Sequence, residues 1–189
     1  MDQIHLKAFG KINIGLDVTG IREDGYHLVK MIMQTVPLHD EVAVRKTDSE
    51  IRVKTNRPFL PNDERNLAFK AAKLVKETYG IAEGVRIDIG KHIPVAAGMA
   101  GGSTDAAAVL KAMNTLFDLK LDAEAMDKLA VKLGADVPFC LREGTYLAEG
   151  IGEELTKLPD MPPCFCLLVN PGFGVSTKRS IRELMRSAI

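Results

Sequence analysis

The sequence has no tryptophan and only three cysteines, and these shortages limit the classes of protein to which it can belong. Three cysteines without a framework spacing are typical of a reducing compartment, so a cytoplasmic location is expected. Cys164 and Cys166 are spaced like a redox or metal-binding pair. They also lie in the apolar run 164–169, which favours a buried strand with two buried thiols.

The sequence also has no excess of either charge and no long apolar run. Lysine plus arginine and aspartate plus glutamate each number 25, so the formal net charge is zero. This balance argues against a general nucleic-acid-binding protein, which usually carries a basic excess. Because there is no run of about 18 apolar residues and no secretory signal at residues 1–5, we expect no membrane span and no export.

What is present is the composition of an ordinary globular protein. Hydrophobic residues make up 46% of the 189 residues and charged residues 26%. The length predicts one domain, or one domain and part of another, with a core that needs no disulfide bond or metal ion.

Local sequence signals predict the helices. Asn66 is a suitable N-cap for a helix that ends at Gly80, and Asp122 is a suitable N-cap for a helix that ends at Gly134. Two further helices are expected at residues 103–117 and 177–188.

Alternation of apolar and polar residues predicts the strands. The buried, apolar face of the first strand would consist of Ile12, Ile14, Leu16 and Val18. Its polar face would consist of Lys11, Asn13, Gly15 and Asp17. Further strands are expected at residues 28–36, 85–89, 144–148 and 164–169, and a hairpin at 41–46 and 51–55. Because the order mixes runs of strands with single helices and shows no regular βαβ repeat, we predict an α+β fold.

The segment Pro94–Thr104, with the sequence PVAAGMAGGST, is the most informative part of the chain. Its glycines allow a ligand to approach the backbone closely, and free amides at the start of the following helix attract anions such as phosphate. Ser103 and Thr104 add hydroxyl groups that could contact a phosphate or a metal ion. The segment has neither the Gly-Lys-Ser/Thr ending of a P-loop nor the dinucleotide fingerprint. A tight strand-to-helix turn with a capping serine is the alternative.

Two charged residues are candidates for a buried pair. Asp136 follows the helix stop at Gly134 and is flanked by apolar residues, so we expect it to be partly buried. Lys11, on the polar face of the first strand, is a possible charge partner. The alternatives are a turn aspartate bonded to its own backbone and a solvated lysine.

The turn Asp24–His27 presents an aromatic ring next to an imidazole. Tyr26 could stack on a nucleobase, and His27 could hydrogen-bond to the edge of that base. From these residues alone, a hairpin turn whose side chains cover the edge of the core is the simpler interpretation. The other histidines have no metal-ligand spacing, so no metal site is predicted.

In their order along the chain, four segments resemble the GHMP family of small-molecule kinases, which includes galactokinase, homoserine kinase and mevalonate kinase. The segments are residues 8–16 (AFGKINIGL), 24–27 (DGYH), 94–104 and 134–139 (GADVPF). The resemblance implies the ribosomal protein S5 domain 2-like α+β fold of a GHMP kinase N-terminal domain over residues 1–170. Residues 171–189 would then be the start of a C-terminal domain.

The turn Asp24–His27 points to the members of this family that act on a cytidyl substrate. The resemblance implies ATP-dependent phosphorylation of a hydroxyl group on the erythritol part of that substrate, in non-mevalonate isoprenoid synthesis, with Mg²⁺ bridging the phosphates. Asp136 would be the general base, and Lys11 would be its charge partner. The residues that would bind the substrate are Asn13, Tyr26, which would stack on cytosine, and His27, which would read its edge.

The glycine-rich loop and Asn66, which matches a family position near the adenine, would bind the nucleotide. The loop residues that would hold the ATP phosphates are Pro94, Val95, Ala96, Ala97, Gly98, Met99, Ala100, Gly101, Gly102, Ser103 and Thr104. The chain departs from the family at two places. Ile181 stands where an aromatic residue often completes the cytosine site, and the third glycine-rich motif of the family's second domain is missing.

Three other functions stay open on these residues. The chain could be a GHMP kinase with another acceptor, a nucleotide-binding module without transfer activity, or an RNA-binding protein of the S5-like fold. The zero net charge gives little support to the RNA-binding function. For the kinase, the expected partner is a small molecule, with no nucleic acid and no membrane.

Overall fold

A computed structural model describes residues 2–170 and Gly172. Its elements are β1 (Gln3–Ile21), β2 (His27–Thr47), β3 (Ile51–Thr55), α1 (Leu67–Tyr79), β4 (Gly84–Gly90), α2 (Gly101–Leu116), α3 (Ala123–Leu133), α4 (Val137–Arg142), β5 (Thr145–Glu149) and β6 (Glu154–Lys157). Apart from Gly172, the expected start of a second domain at 171–189, with the predicted helix 177–188 and Ile181, lies outside the described residues. Within the described residues, no helix is both long and apolar enough to cross a membrane.

The described strands form a six-stranded sheet built around the long hairpin of β1 and β2. The other edge of β2 pairs with β4 towards one end and with β5 towards the other, and β6 extends the sheet beyond β5. Between these two pairings, residues 36–40 of β2 have no partner strand on that edge in the described part of the chain. Asp40 in this gap accepts hydrogen bonds from the loop before α2. The gap therefore brings the loop against the sheet.

The buried face predicted for β1 is wrong. Ile14 and Leu16 are exposed by 51% and 38%, whereas Lys11, from the predicted polar face, is only 5% exposed. The register of β1 against β2 shifts just before Lys11 and just after Asn13. Residues 13–17 are all exposed, so this stretch of β1 buries neither face, and its alternation of apolar and polar residues does not mark a buried side. A simple alternation therefore misplaces this strand.

The predicted hairpin between residues 41–46 and 51–55 is also wrong. β3 pairs in parallel with β4, and β4 lies between β3 and β2 in the sheet. α1 lies between β3 and β4 in the chain, because parallel neighbours need a crossover connection. Both strands exist where the alternation predicts them, but their neighbours depend on contacts far apart in the sequence.

The helix boundaries agree closely with the predictions, because they depend on local caps. The side chain of Asn66 accepts a hydrogen bond from Ala68 N at 2.9 Å, and α1 is capped by Gly80 with a left-handed φ of 64°. Asp122 caps α3 through Ala125 N in the same way. The short elements α4 and β6 have no counterpart among the predictions.

The helices pack on the sheet and form the main core with it. α2 is the central helix, because it contacts α1, α3, α4, β1 and β2. The alanines at 106–108 are buried, and such small side chains allow neighbouring elements to approach α2 closely. A smaller cluster of Val36, Ile93 and Met99 includes two residues of the loop before α2. The loop is therefore packed against the sheet by its own side chains.

The apolar run 164–169 is not the buried strand that its composition predicts. In the described part of the chain it pairs with no strand, and Phe165, Leu167 and Val169 are at least 82% exposed. Cys164 and Cys166 are accordingly exposed free thiols rather than buried ones. A strand needs a neighbour to satisfy its backbone hydrogen bonds, and apolar composition alone does not supply that neighbour.

Candidate active site

An open cavity of about 590 Å³ brings together most of the residues selected from the sequence. Lys11 and Asn13 of β1, Asp136 at the start of α4 and residues 94–103 of the loop line it. Apolar side chains complete the wall, namely Leu16, Val29, Met31, Leu60, Leu67 and Ile151. The cavity thus combines a glycine-rich loop, a lysine and a carboxylate from three separate parts of the chain.

A second groove, of about 620 Å³, lies along β1, β2, β3 and β4. Its charged residues include Lys7, Glu41 and Asp88, and it contains none of the residues selected from the sequence. We therefore assign the chemistry to the first cavity, where the loop and the charged pair meet.

The backbone of the loop before α2 is suited to binding an anion. Ala96, Gly98 and Ala100 all have left-handed conformations, with φ of 56°, 72° and 57°. Left-handed residues within a turn direct N–H groups to a common concave side, which binds anions. Two of these residues are alanines, and a left-handed alanine is a strained conformation of the kind that clusters at functional sites.

The N-terminus of α2 opens onto this loop with unused hydrogen-bond donors. Ala100 precedes the helix without a side-chain cap, and Thr104 N donates to Ala100 O at 2.9 Å. Among the described residues, the amides of Gly101, Gly102 and Ser103 have no acceptor. Free amides at the positive end of a helix are a favourable position for a phosphate group.

The loop is fixed relative to Lys11. Met99 O accepts a hydrogen bond from Lys11 N at 3.2 Å, which joins the loop to β1. The side chains of Ile93 and Met99 pack with Val36 of β2. Because both contacts are made with the β1–β2 hairpin, the free amides and the lysine are held on the same framework.

Lys11 and Asp136 line the same cavity without forming a direct ion pair. Lys11 Nζ donates a hydrogen bond to Asn13 Oδ1 at 3.1 Å. Asp136 is half-buried at the start of α4, and its side chain caps no backbone amide. Within the described residues no salt bridge joins the two groups. The carboxylate is therefore available to a ligand that enters beside the lysine.

Lys11 and Asp136 both influence the pKa of the Cys140 thiol in α4. Burial, reinforced by the Asp136 carboxylate and opposed by Lys11, raises the pKa of the Cys140 thiol to about 12. The thiolate is the reactive form of cysteine, so Cys140 is an inert packing residue at neutral pH.

The side chains of Asn66 and Thr104 make structural hydrogen bonds. Asn66 Oδ1 caps α1, and its Nδ2 donates to Pro61 O at 2.8 Å. Thr104 is buried, and its hydroxyl donates to Phe9 O at 2.7 Å. Neither residue lines the cavity. A contact between a nucleotide and either side chain stays a prediction, and a hydrogen bond donated by the Thr104 hydroxyl to a phosphate would require the bond to Phe9 O to break.

Tyr26 and His27 lie at the tip of the β1–β2 hairpin, outside the cavity. Tyr26 is 58% exposed, and the guanidinium of Arg22 lies 5.7 Å from the centre of its ring. His27 is half-buried and shares a face of β2 with Val29, which lines the cavity. Their roles stay predictions, for a ligand long enough to extend from the cavity to the tip.

A buried ionic cluster formed by Asp40, Lys91 and Asp105 lies behind the loop and was not predicted. Lys91 Nζ donates hydrogen bonds to Asp105 Oδ2 at 2.7 Å, to Gly101 O at 3.1 Å and to Asp40 Oδ2. The three charged side chains are at most 5% exposed. An aspartate in the alanine-rich start of α2 is a usable signal, because a charge in an apolar helix is rarely buried without a partner.

The surroundings of Asp105 disfavour its ionised form. Burial, opposed by Lys91 and reinforced by Asp40, raises the pKa of the Asp105 carboxyl to about 7. Its Oδ1 is buried and has no hydrogen-bond partner in the described part of the protein. Asp105 and Lys91 both border the cavity, so the cluster adjoins the candidate site.

The chain is similar to known kinases over most of its length. Residues 66–144 match the family model of the GHMP kinases N terminal domain. The chain is 56% identical over 173 residues to 4-diphosphocytidyl-2-C-methyl-D-erythritol kinase of Clostridium beijerinckii, and 56% identical over 185 residues to the kinase of that name from Lachnospira eligens. These alignments cover 92% and 97% of this chain, but the chain spans only 62% and 64% of the relatives.

A solved structure decides the family. The crystal structure of 4-(cytidine 5'-diphospho)-2C-methyl-D-erythritol kinase matches with a TM-score of 0.73 and 34% identity, over 97% of this chain and 72% of that one. The chain belongs to the 4-diphosphocytidyl-2-C-methyl-D-erythritol kinase family. Homoserine kinase from Cytophaga hutchinsonii, at 24% identity and a TM-score of 0.63, shares the fold of this kinase family. The predicted α+β fold of a GHMP kinase N-terminal domain is thus confirmed.

Proposed function

We propose that this chain is the nucleotide-binding part of a kinase that transfers a phosphoryl group from ATP to a hydroxyl group of 4-diphosphocytidyl-2-C-methyl-D-erythritol. The observation that carries the proposal is the shared cavity. A strained loop with unbonded amides lines this cavity, and so do Lys11 and Asp136. Phosphoryl transfer depends mainly on positioning and on stabilising charge, and these groups are suited to both tasks.

In the proposed reaction, the oxygen of the acceptor hydroxyl forms a bond to the γ-phosphorus of ATP. The bond between that phosphorus and the oxygen that bridges it to the β-phosphate breaks, and ADP leaves. The hydroxyl proton passes to the Asp136 carboxylate. Lys11 Nζ, held by Asn13, supplies a positive charge that favours the developing alkoxide and orients Asp136.

The unbonded amides at Gly101–Ser103 are suited to binding a phosphate group. The few oxygen-bearing side chains at the site are suited to a metal ion whose other ligands come from the nucleotide. The described residues contain no group of three or more carboxylate, histidine or cysteine side chains that could by itself hold a metal ion. Mg²⁺ commonly keeps several waters and binds substrate phosphates with one or two protein groups. We assign the Ser103 hydroxyl, which lines the cavity, to the metal ion. Bound Mg²⁺ would offset the charge of the phosphates.

We assign the outer end of the site to the cytidyl group of the acceptor. Tyr26 would stack on the cytosine, His27 would hydrogen-bond to its edge, and Asn13 would contact the remainder of the substrate. Asn66 would lie near the adenine of ATP, and residues 171–189 would begin the second domain. We place the protein in the cytoplasm, with small-molecule ligands and with neither a nucleic acid nor a membrane as partner.

The first test is ADP release by the purified chain with Mg·ATP, with and without the cytidyl-erythritol substrate. Release that depends on this substrate, and not on homoserine or mevalonate, supports the proposal. Calorimetric binding of ATP without any release would instead support a nucleotide-binding module that does not transfer phosphate. A chain that neither binds ATP nor releases ADP contradicts both.

Asp136→Asn tests the assignment of the base. General-base catalysis contributes about 10²–10⁴-fold, so kcat should fall by that factor. The Kd for ATP should stay within about twofold, because the carboxylate acts on the acceptor rather than on the nucleotide. Asp118→Asn, at a side chain that is 80% exposed, is the matched control. Unchanged kcat in Asp136→Asn would sink the assignment.

A further inference from the structure

The buried cluster of Asp40, Lys91 and Asp105 behind the loop has no role in the proposed chemistry, so its presence there needs another explanation. We propose that Asp105 is a positioning residue for nucleotide binding, acting through Lys91 on the glycine-rich loop rather than on the ligand. This inference rests on the proposed function for its ligand, ATP, but the geometry that supports it is independent of that function.

The cluster ties down both ends of the loop. At the entrance, Asp40 Oδ1 accepts hydrogen bonds from His92 N at 2.6 Å and from Ile93 N at 2.8 Å. At the exit, Lys91 Nζ donates to Gly101 O at 3.1 Å, where α2 begins. Lys91 also bonds to Asp40, so the two ends are joined through one buried ion pair. The left-handed residues of the loop are therefore held between two fixed points.

Lys91 has no donor left for a ligand, although it borders the cavity. An ammonium group has three N–H donors, and those of Lys91 are directed to Asp40, Asp105 and Gly101 O. A lysine next to a phosphate-binding loop would ordinarily be taken for a phosphate ligand. Here a direct bond to phosphate would require one of these three buried bonds to break. Lys91 is therefore better suited to holding the loop than to binding the nucleotide.

Asp105 determines the direction in which Lys91 Nζ points. It lies on α2, one turn beyond the free amides, and its Oδ2 accepts from Lys91 at 2.7 Å. Gly101 allows this close approach, because a Cβ at that position would lie 3.1 Å from Lys91 Nζ. Without Asp105, Lys91 would keep Asp40 as a partner but would lose its link to the α2 side chain. The start of α2 would then be held less firmly in its position relative to the loop.

A purely stabilising role is the competing explanation. Replacing a buried ion pair by apolar groups is often neutral or stabilising, so burial of these charges does not by itself explain their position. The two explanations differ in what they predict for nucleotide affinity. A stabilising cluster would alter unfolding only, whereas a positioning cluster would also alter ATP binding and the protection of the loop amides.

The test compares ATP affinity among variants of the full chain by calorimetry. Asp105→Ala should weaken ATP binding by about tenfold, the effect of losing a hydrogen bond to a charged group. Asp105→Asn should return the affinity to within about threefold of the original chain, because the amide oxygen can accept from Lys91 at nearly the same position. Asp122→Ala, which removes the cap of α3, is the control: it should lower the unfolding midpoint and leave ATP affinity unchanged.

Amide hydrogen exchange provides a readout that does not require ATP. In Asp105→Ala, the amides of His92 and Ile93 should exchange about tenfold faster. Their acceptor is Asp40, and Asp40 is held by Lys91, which would lose one of its two carboxylate partners. Asp122→Ala should not change them. If Asp105→Ala is poorly folded, Asp105→Ser, whose hydroxyl can still accept one hydrogen bond, should show the same change to a smaller extent.

The failures of the two proposals can be told apart. If the original chain does not bind ATP, the proposed function fails, and amide exchange alone decides the role of Asp105. Exchange at His92 and Ile93 that is the same in Asp105→Ala as in the original chain would overturn the positioning role. Equal loss of ATP affinity in Asp105→Ala and Asp105→Asn would also overturn it, because the conservative variant would then give no rescue.

Discussion

The two ends of the candidate site are held in place by opposite means. The loop end rests on the Lys91 cluster, whose side chains are at most 5% exposed, and on its own small apolar cluster. At the hairpin tip, the salt bridge between Arg22 and Asp24 is about half exposed, and Tyr26 projects into solvent. Buried charges that are bonded to one another fix a geometry, whereas exposed pairs contribute little.

This difference indicates a division of labour within the proposed kinase. Phosphate groups have the same shape in every turnover, so a rigid loop at Gly98 and Ala100 can be arranged in advance. The cytidyl group would be bound at the tip, where Tyr26 and His27 can adjust to it. Variants at the loop end should therefore affect folding and nucleotide binding together. Variants at the tip should affect the acceptor alone.

The sharpest contrast between the two ends should come from removing one cation at each. Lys91→Met leaves Asp40 and Asp105 buried without their counter-ion, so we expect the free energy of unfolding to fall by about 3–5 kcal/mol. Arg22→Ala removes an exposed pair and should leave that free energy nearly unchanged. Urea unfolding of both variants measures the difference. Equal losses would show that the ends are not held differently.

The stability of the protein should depend on pH through the Asp105 carboxyl of the buried cluster. The pKa of the Asp105 carboxyl is raised from 3.8 to about 7 in the folded protein. Between these values the folded state binds more protons than the unfolded state, so stability falls as pH rises from about 4 to about 7. Asp105→Asn lacks this titration and should gain stability relative to the original chain over that window.

The gain should be a few kcal/mol at most, since one pKa unit corresponds to about 1.4 kcal/mol, and it should level off above about pH 7. Urea unfolding from pH 4.5 to 8 measures it. Asp118→Asn, at an exposed carboxylate, should show no such trend. A difference between Asp105→Asn and the original chain that is constant over the whole range would contradict the assignment.

At the hairpin tip, Tyr26→Ala should weaken binding of cytidine diphosphate by about 1–3 kcal/mol, the range measured for a base stacked on an aromatic side chain. Tyr26→Phe keeps the ring and is the matched control. Because Tyr26 is 58% exposed, neither variant should change the unfolding midpoint appreciably. Calorimetry with cytidine diphosphate tests the stacking role, and unchanged affinity in Tyr26→Ala would remove Tyr26 from the site.

The smallest effect concerns thiol reactivity and should leave stability untouched. Cys164 and Cys166 are exposed, whereas Cys140 is buried with its pKa raised to about 12. Two thiols should therefore react with a thiol reagent in the folded chain, and the third only after unfolding. Cys140→Ala should leave the number that react under native conditions at two. Modification of Cys140 in the native chain would contradict its burial.

Local features of the fold were predictable because the interactions that produce them span only a few residues. Asn66 and Asp122 cap α1 and α3 through amides two and three residues away. The left-handed Gly80 caps α1 through its own backbone. By contrast, the hairpin predicted for 41–46 and 51–55 failed, because pairing partners are chosen by the whole sheet. The buried strand predicted for 164–169 failed for the same reason.

The candidate site divides in the same way. The glycine-rich loop, Lys11 and Asp136 could be selected as candidate site residues from the sequence, and the structure places them around one cavity. The buried partners Lys91 and Asp105 were not predicted. Lys91 looks like an ordinary surface charge until the fold encloses it, and the alanine-rich surroundings of Asp105 indicate burial but not which residues would surround it. The roles of Tyr26 and of the other substrate residues stay predictions.

The sequence by itself determined the helices α1, α2 and α3, the glycine-rich loop and the similarity to a kinase family, because caps, turns and motifs depend on residues close together in the chain. Only the tertiary structure decided which strands are neighbours, which face of β1 is buried and how Asp40, Lys91 and Asp105 meet. Those features depend on burial and on contacts between distant segments. The free energy of a buried charge is set by its surroundings in space, and the linear sequence does not contain them.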